Sequence, residues 1–200
     1  MRLIGMLDSP YVRRVAISAR LLGLPFEHEA VSVFRHYDTF AAINPVVKAP
    51  TLVTDDGVVL MESSLIIEHL ERVAGRSLGP ADIADHARTQ RILGLALAAS
   101  EKTVSLVYEF NLRPEDKQHG PWVERVRVQL AEAWRLLETE VAAPPPGFEV
   151  SQAWLTCAVV WTFAQRTLPG SIDAATCPAI AALAEQAEAT EAFLATPFDD

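Results

Sequence analysis

Ser9-Pro10 is the first point in this 200-residue chain where residue type and position combine into possible chemistry. Residues 2–7 form a short apolar run suited to a buried strand. Ser9 then reads as a helix N-cap and Pro10 as the first helical residue, because proline lacks the N–H that would be orphaned there. The hydroxyl and the unpaired N–H groups of that helix start point at any bound anion, although the same residues are also an ordinary cap. Glu62-Ser63 repeats the arrangement at a second helix start, with a carboxylate and a hydroxyl beside the positive end of the peptide dipoles. Lys48-Ala49-Pro50 precedes a strand signal. A trans bond before Pro50 makes it a plain turn; a cis bond would leave the N–H and C=O of Ala49 free to pair with an extended peptide.

The elements that must position these residues alternate in type over the first 80 positions and are helical thereafter. From Pro10, apolar residues at 12, 15, 16, 19 and 22 define one helical face, which Gly23 and Pro25 end. A second strand over 26–33 lies parallel to the first in a right-handed βαβ unit. A helical turn at 39–43 follows, and Asp55-Asp56-Gly57 joins strands 51–54 and 58–61 as a tight hairpin. A helix over 62–73 ends at Gly75. Leu78-Gly79-Pro80 marks a linker, set at 78–86 between domains 1–77 and 87–200, with Asp82 opening a long helical segment to 112. Helices follow over 122–141, from Ser151 through a nearly all-apolar run that must be buried, and over 178–187 and 191–195. The four tryptophans, at 122, 134, 154 and 161, read as core anchors of this helical half.

Composition excludes several classes of function. A net charge of −9 with no Lys/Arg cluster offers a phosphate backbone no basic face, so nucleic acid is not an expected partner. No apolar stretch reaches the roughly 20 residues that cross a bilayer, and the residues up to Asp8 contain no secretory cleavage pattern, so a cytoplasmic chain is expected with no membrane partner. Cys157 and Cys177 form no C-x-x-C pair, and the histidines at 28, 36, 69, 86 and 119 lack metal-ligand spacing, so no metal is assigned. No glycine belongs to a phosphate-cradling motif.

Taken together, Ser9-Pro10-Tyr11-Val12-Arg13-Arg14-Val15, Asn44-Pro45-Val46-Val47-Lys48-Ala49-Pro50-Thr51-Leu52, the run from Glu62-Ser63 to His69-Leu70, and Cys177-Pro178-Ala179-Ile180 before Phe193 make the chain resemble the cytosolic glutathione transferases, most nearly their serine-type bacterial members. The resemblance implies an α/β plus all-α fold: a thioredoxin-like N-terminal domain of order βαβ-α-ββα, an α-helical C-terminal domain, and a homodimer. It implies glutathione as cosubstrate, with Ser9 hydrogen-bonded to its sulfur, Ala49 before Pro50 pairing with its cysteinyl unit, and Glu62 and Ser63 holding its γ-glutamyl end. Lys48 is the first choice for the glycine carboxylate, with Arg35 or His36 next. The electrophile pocket is expected between the two halves, lined by Tyr11, Thr103, Val107 and Phe110. One departure stands out: Ser151-Gln152-Ala153-Trp154 puts tryptophan where the family carries the aspartate of a capping box, an expected cost of about 0.5–2 kcal/mol in stability.

The chemistry the resemblance implies has a definite energetic requirement. A thiol of pKa about 8.5 is roughly 3% thiolate at pH 7, and lowering it by about two units takes some 2.7 kcal/mol of preferential anion stabilisation. A hydrogen bond to a charged group contributes about 1.5–3 kcal/mol and a helix N-terminus roughly 0.3–1. Because glutathione is anionic and the protein acidic, local dipoles must do this without long-range steering. With no cysteine near residue 9, thiol-transferase chemistry is disfavoured. The reading is a detoxifying transferase that directs glutathione thiolate onto small hydrophobic electrophiles. Its alternatives are a non-catalytic glutathione-binding or stress-associated interaction protein, or a glutathione-dependent isomerase or dehalogenase.

Overall fold

The computed structural model describes residues 1–198. They form two compact units: Met1–Leu78 joined by the segment that begins at Ala189, and Gly79–Glu188.

In the first unit, β1 (Arg2–Ile4), α1 (Pro10–Leu22), β2 (Glu27–Glu29), α2 (Tyr37–Ile43), β3 (Thr51–Val53), β4 (Val59–Met61) and α3 (Ser63–Ala74) follow in the expected thioredoxin-like order. The sheet runs β2-β1-β3-β4, with β1 parallel to β2 and antiparallel to β3, and β3 antiparallel to β4. Two strands are shorter than the sequence suggests. Gly5 takes φ +138°, which turns the chain out of β1 after Ile4. β2 stops at Glu29 because the Val31 N–H bonds the Glu29 carbonyl in a tight turn. The core joins Leu3, Ile4 and Leu52 from the sheet to Val12, Val15, Ala16 and Ala19 of α1, Phe40 of α2, and Ile66 and Leu70 of α3. Helices α1 and α3 each end on a left-handed glycine, Gly23 and Gly75.

The second unit contains α4 (Ile83–Leu112), α5 (Gly120–Val141), α6 (Gln152–Thr167) and α7 (Pro178–Glu188). Asp82 caps α4 by accepting from the Ala84 and Asp85 N–H groups, so the helix begins inside the stretch expected to be linker. The stripe Val123, Val126, Leu130, Ala133, Trp134, Leu137 and Val141 is the buried face of α5. Helix α6 is buried on every side from Gln152 to Trp161, and the Trp134 and Trp161 rings meet edge to face at 5.3 Å. Trp122 departs from expectation: it is 45% exposed in the first turn of α5 and anchors no core. The capping-box departure is also resolved. Ser151 accepts from the Trp154 N–H at 3.2 Å, while the Ser151 N–H that the missing carboxylate would have taken bonds the Phe148 carbonyl at 3.1 Å. No donor is orphaned there, and the expected penalty does not arise.

The last short helix, α8 (Glu191–Leu194), does not belong to the helical unit as expected. It returns to the first, where the Arg13 guanidinium of α1 donates to the Thr196 carbonyl at 2.8 Å and lies 5.4 Å from the Phe193 ring centroid. A buried cation needs such partners, and neither Ser9 nor Ile17, its i±4 neighbours on α1, supplies an acid. Among the described residues, no helix is long and apolar enough to cross a membrane.

Candidate functional site

Strand register alone gathers the chemistry-bearing residues of the first unit. Glu29, Ile4, Thr51 and Met61 form one row across the sheet. The chain beyond Ile4 leads to Ser9, the chain before Thr51 holds Ala49-Pro50, and the chain after Met61 is Glu62-Ser63, so all three leave the same end of the sheet. Beyond Glu29 the loop with Arg35 and His36 starts from that end too. Gly5 closes the spacing: a Cβ there would meet Val12 Cγ2 at 2.6 Å and the Ala49 Cβ at 3.2 Å. Only a hydrogen fits where the first turn of α1 approaches the proline loop.

Ser9 is half-buried at the N-cap of α1. Its Oγ accepts from the Val12 N–H at a long 3.4 Å, and among the described residues its own O–H donates to nothing. That hydroxyl has its proton to give, beside the positive end of a 13-residue helix.

The Ala49-Pro50 bond is cis. Pro50 is buried, Ala49 half-buried, and the Ala49 N–H and C=O take no partner among the described residues. The loop is held from below by two residues of the same motif to which no role was assigned from the sequence. The buried Asn44 amide donates to Thr51 Oγ1 at 2.9 Å, and Thr51 Oγ1 donates to the Lys48 carbonyl at 2.7 Å. Asn44 Oδ1 also accepts from the Val46 N–H at 3.1 Å. Between them Val47 sits at φ +52°, an outlier for a β-branched residue.

Glu62 is a second outlier, at φ +74° as the N-cap of α3. Its carboxylate turns inward and accepts from the Ser64 and Leu65 N–H groups at 3.2–3.3 Å. Ser63 is 2% exposed, and its Oγ lies 3.4 Å from Glu62 Oε1. Behind both stands Arg14 of α1, whose Nη1 donates to Ser63 Oγ at 3.0 Å and Ser64 Oγ at 3.2 Å. Burial pulls this guanidinium down to about 10, against the raising effect of Glu62, Tyr11 and Glu71, and it stays charged at neutral pH. A sequence signal for it existed: Arg13 and Arg14 stand between the apolar positions Val12 and Val15 of α1 with no acid at i±4 to receive either.

Of the cations considered for a carboxylate, Lys48 and Arg35 are exposed and make no ion pair among the described residues, whereas His36 Nδ1 accepts from the Ser32 N–H at 3.2 Å. Of the residues expected to line an electrophile pocket, Tyr11 is half-buried in the first turn of α1. Val107 and Phe110 are half-buried on α4, with the Arg127 guanidinium 5.7 Å from the Phe110 ring centroid. Thr103 is corrected: it is fully buried and its hydroxyl is spent on the Ala99 carbonyl at 2.8 Å, so it has no surface to offer a substrate. Cys157 and Cys177 are both buried in the second unit, and burial pushes both thiols up, so neither is a ready nucleophile. No cluster of three or more His, Cys, Asp or Glu arranged to hold a metal occurs among the described residues.

Comparison with known proteins gives this arrangement a context. Residues 3–78 match the family described as glutathione S-transferase, N-terminal domain. The uncharacterized GST-like protein YibF of Escherichia coli K12 is 26% identical over 174 residues, covering 85% of this chain and 86% of its own. Among solved structures, a glutathione S-transferase from Methylobacterium radiotolerans in complex with glutathione sulfonate superposes with a TM-score of 0.90 at 25% identity, covering 100% of this chain and 95% of that one. A glutathione S-transferase from Methylobacillus flagellatus with glutathione bound gives 0.86 at 22% identity over 98% of each chain. The fold is thus the glutathione S-transferase fold, a thioredoxin-like unit followed by a helical one.

Proposed function

We propose that this chain is a serine-type glutathione S-transferase, which binds glutathione at the common end of its first sheet and holds the sulfur as thiolate for attack on small hydrophobic electrophiles. The observation that carries the reading is the uncommitted Ser9 hydroxyl at the start of α1, on the same sheet end as the open backbone of Ala49. The Ala49 N–H and C=O pair with the cysteinyl unit as an added strand would. That pairing brings the sulfur toward Ser9, whose O–H donates to it. The first turn of α3, with Ser63, takes the γ-glutamyl end, and Lys48 or Arg35 takes the glycine carboxylate. Ser9 removes no proton and forms no covalent bond. It lowers the energy of the anion, and the sulfur lone pair then makes the new S–C bond as the electrophile's leaving group departs or its π-electrons shift.

The exposed apolar side chains of Leu65 and Val73 on α3 and Val58 and Val59 at β4 support the proposal of a homodimer. Sedimentation giving one species near the 21.9 kDa of the single chain would count against it.

Retention on a glutathione resin, followed by ultraviolet titration of the bound thiolate in wild type and Ser9→Ala, tests the central claim. Loss of a charge-assisted hydrogen bond of about 1.5–3 kcal/mol raises the thiol pKa by about 1–2 units. Equal thiol pKa values in both proteins remove Ser9 from the chemistry. Failure of wild type to bind favours the interaction-protein alternative.

A further inference from the structure

We propose that Arg14, with Ser64, is the specificity determinant for the γ-glutamyl carboxylate, acting from beneath the site as a positioning residue. The proposal rests on the reading that glutathione binds at the start of α3. The guanidinium has no lone pair to offer, so each hydroxyl it touches must use an oxygen lone pair to receive it. The proton of each serine is thereby directed away from Arg14. Ser64 O–H has no acceptor among the described residues, and Ser63 O–H has only the Glu62 carboxylate at the 3.4 Å limit. Two hydroxyls are thus held as donors, adjacent on one helix start, with a buried positive charge behind them and the helix dipole adding to it.

That arrangement matches a carboxylate, which accepts from several donors at once. The Glu62 carboxylate faces the Ser64 and Leu65 N–H groups and takes only the long contact from Ser63, so the Ser64 hydroxyl is left to a ligand and that of Ser63 is weakly held. Glu62 and Glu71 also offset the charge of Arg14. Arg14 is screened from the ligand by the serines and acts only through them.

The test compares two ligands that share a thioether, a hexyl chain and a Cys-Gly unit but differ at one end: S-hexylglutathione and S-hexyl-cysteinylglycine. Calorimetric titration of wild type should favour the first. In Arg14→Met, affinity for S-hexylglutathione should fall tenfold or more while that for S-hexyl-cysteinylglycine stays within twofold. Arg14→Lys, which keeps the charge but not the fork, should fall between the two. An equal loss for both ligands, or no loss for either, overturns the proposal and leaves glutathione binding standing. If wild type binds neither ligand, the glutathione reading itself fails. Should Arg14→Met lose its native circular dichroism, Ser64→Ala serves instead: a loss of threefold or more confined to the γ-glutamyl ligand supports the proposal, and an unselective or absent loss overturns it.

Discussion

Glu62 occupies a backbone conformation that suits glycine while carrying a side chain that its helix uses. At φ +74° an ordinary residue costs about 1–3 kcal/mol, yet its carboxylate accepts from the first N–H groups of α3. The two effects separate by substitution. Glu62→Ala keeps the strained backbone and loses the cap, so it should destabilise by about 1–2 kcal/mol. Glu62→Gly loses the cap but relieves the backbone, so it should fall within about 1 kcal/mol of wild type. Urea unfolding of the pair decides, and equal losses would show that the strain is not felt. At this scale the sequence was partly legible. Ser9, Ala49-Pro50 and Glu62-Ser63 are local signals that read forward along the chain. Arg14, Asn44 and Thr51 are not, because what they do depends on partners brought together only by folding: 49 residues separate Arg14 from Ser63.

Among elements, α7 shows how a helix start can be supplied from elsewhere. Its first N–H groups, at Ala179 and Ile180, donate to the two carboxylate oxygens of Glu138 on α5, at 2.9 and 3.0 Å. The Cys177-Pro178 start offers no acidic or hydroxyl cap of its own, so a carboxylate 41 residues away serves as the cap. Glu138→Ala should cost about 1–3 kcal/mol in thermal or urea unfolding, and Glu138→Gln should recover part of it because the amide oxygen still accepts. Equal stability of Glu138→Ala and wild type would make the contact decorative. Element types and order were legible in the sequence because periodicity and caps are local: Asp82, Ser151 and Gly75 all mark the ends they were read to mark. Strand lengths were not, since a positive φ at Gly5 and a tight turn at Val31 end β1 and β2 short of the strand signals over 2–7 and 26–33. Trp154 shows the same limit: its missing carboxylate looked costly only while the Phe148 carbonyl was out of sight.

For the whole molecule, the chain order and the unit order differ. The segment from Ala189 packs on the first unit, where Phe193 is 1% exposed and Arg13 is equally buried. Phe193→Ala should therefore destabilise by about 3–5 kcal/mol through the first unit. Hydrogen exchange should show faster opening of α1 and the sheet, with α5 and α6 unchanged, and accelerated exchange confined to α5 and α6 would contradict the assignment. A four-residue helix carries no sequence signal of which core it serves, so by sequence alone it groups with the helices that precede it. On the ribosome, the ring and carbonyl that satisfy Arg13 emerge only after the whole second unit has been made. The unit translated first is the one whose assembly finishes last, with a buried guanidinium of its principal helix short of these two contacts until then.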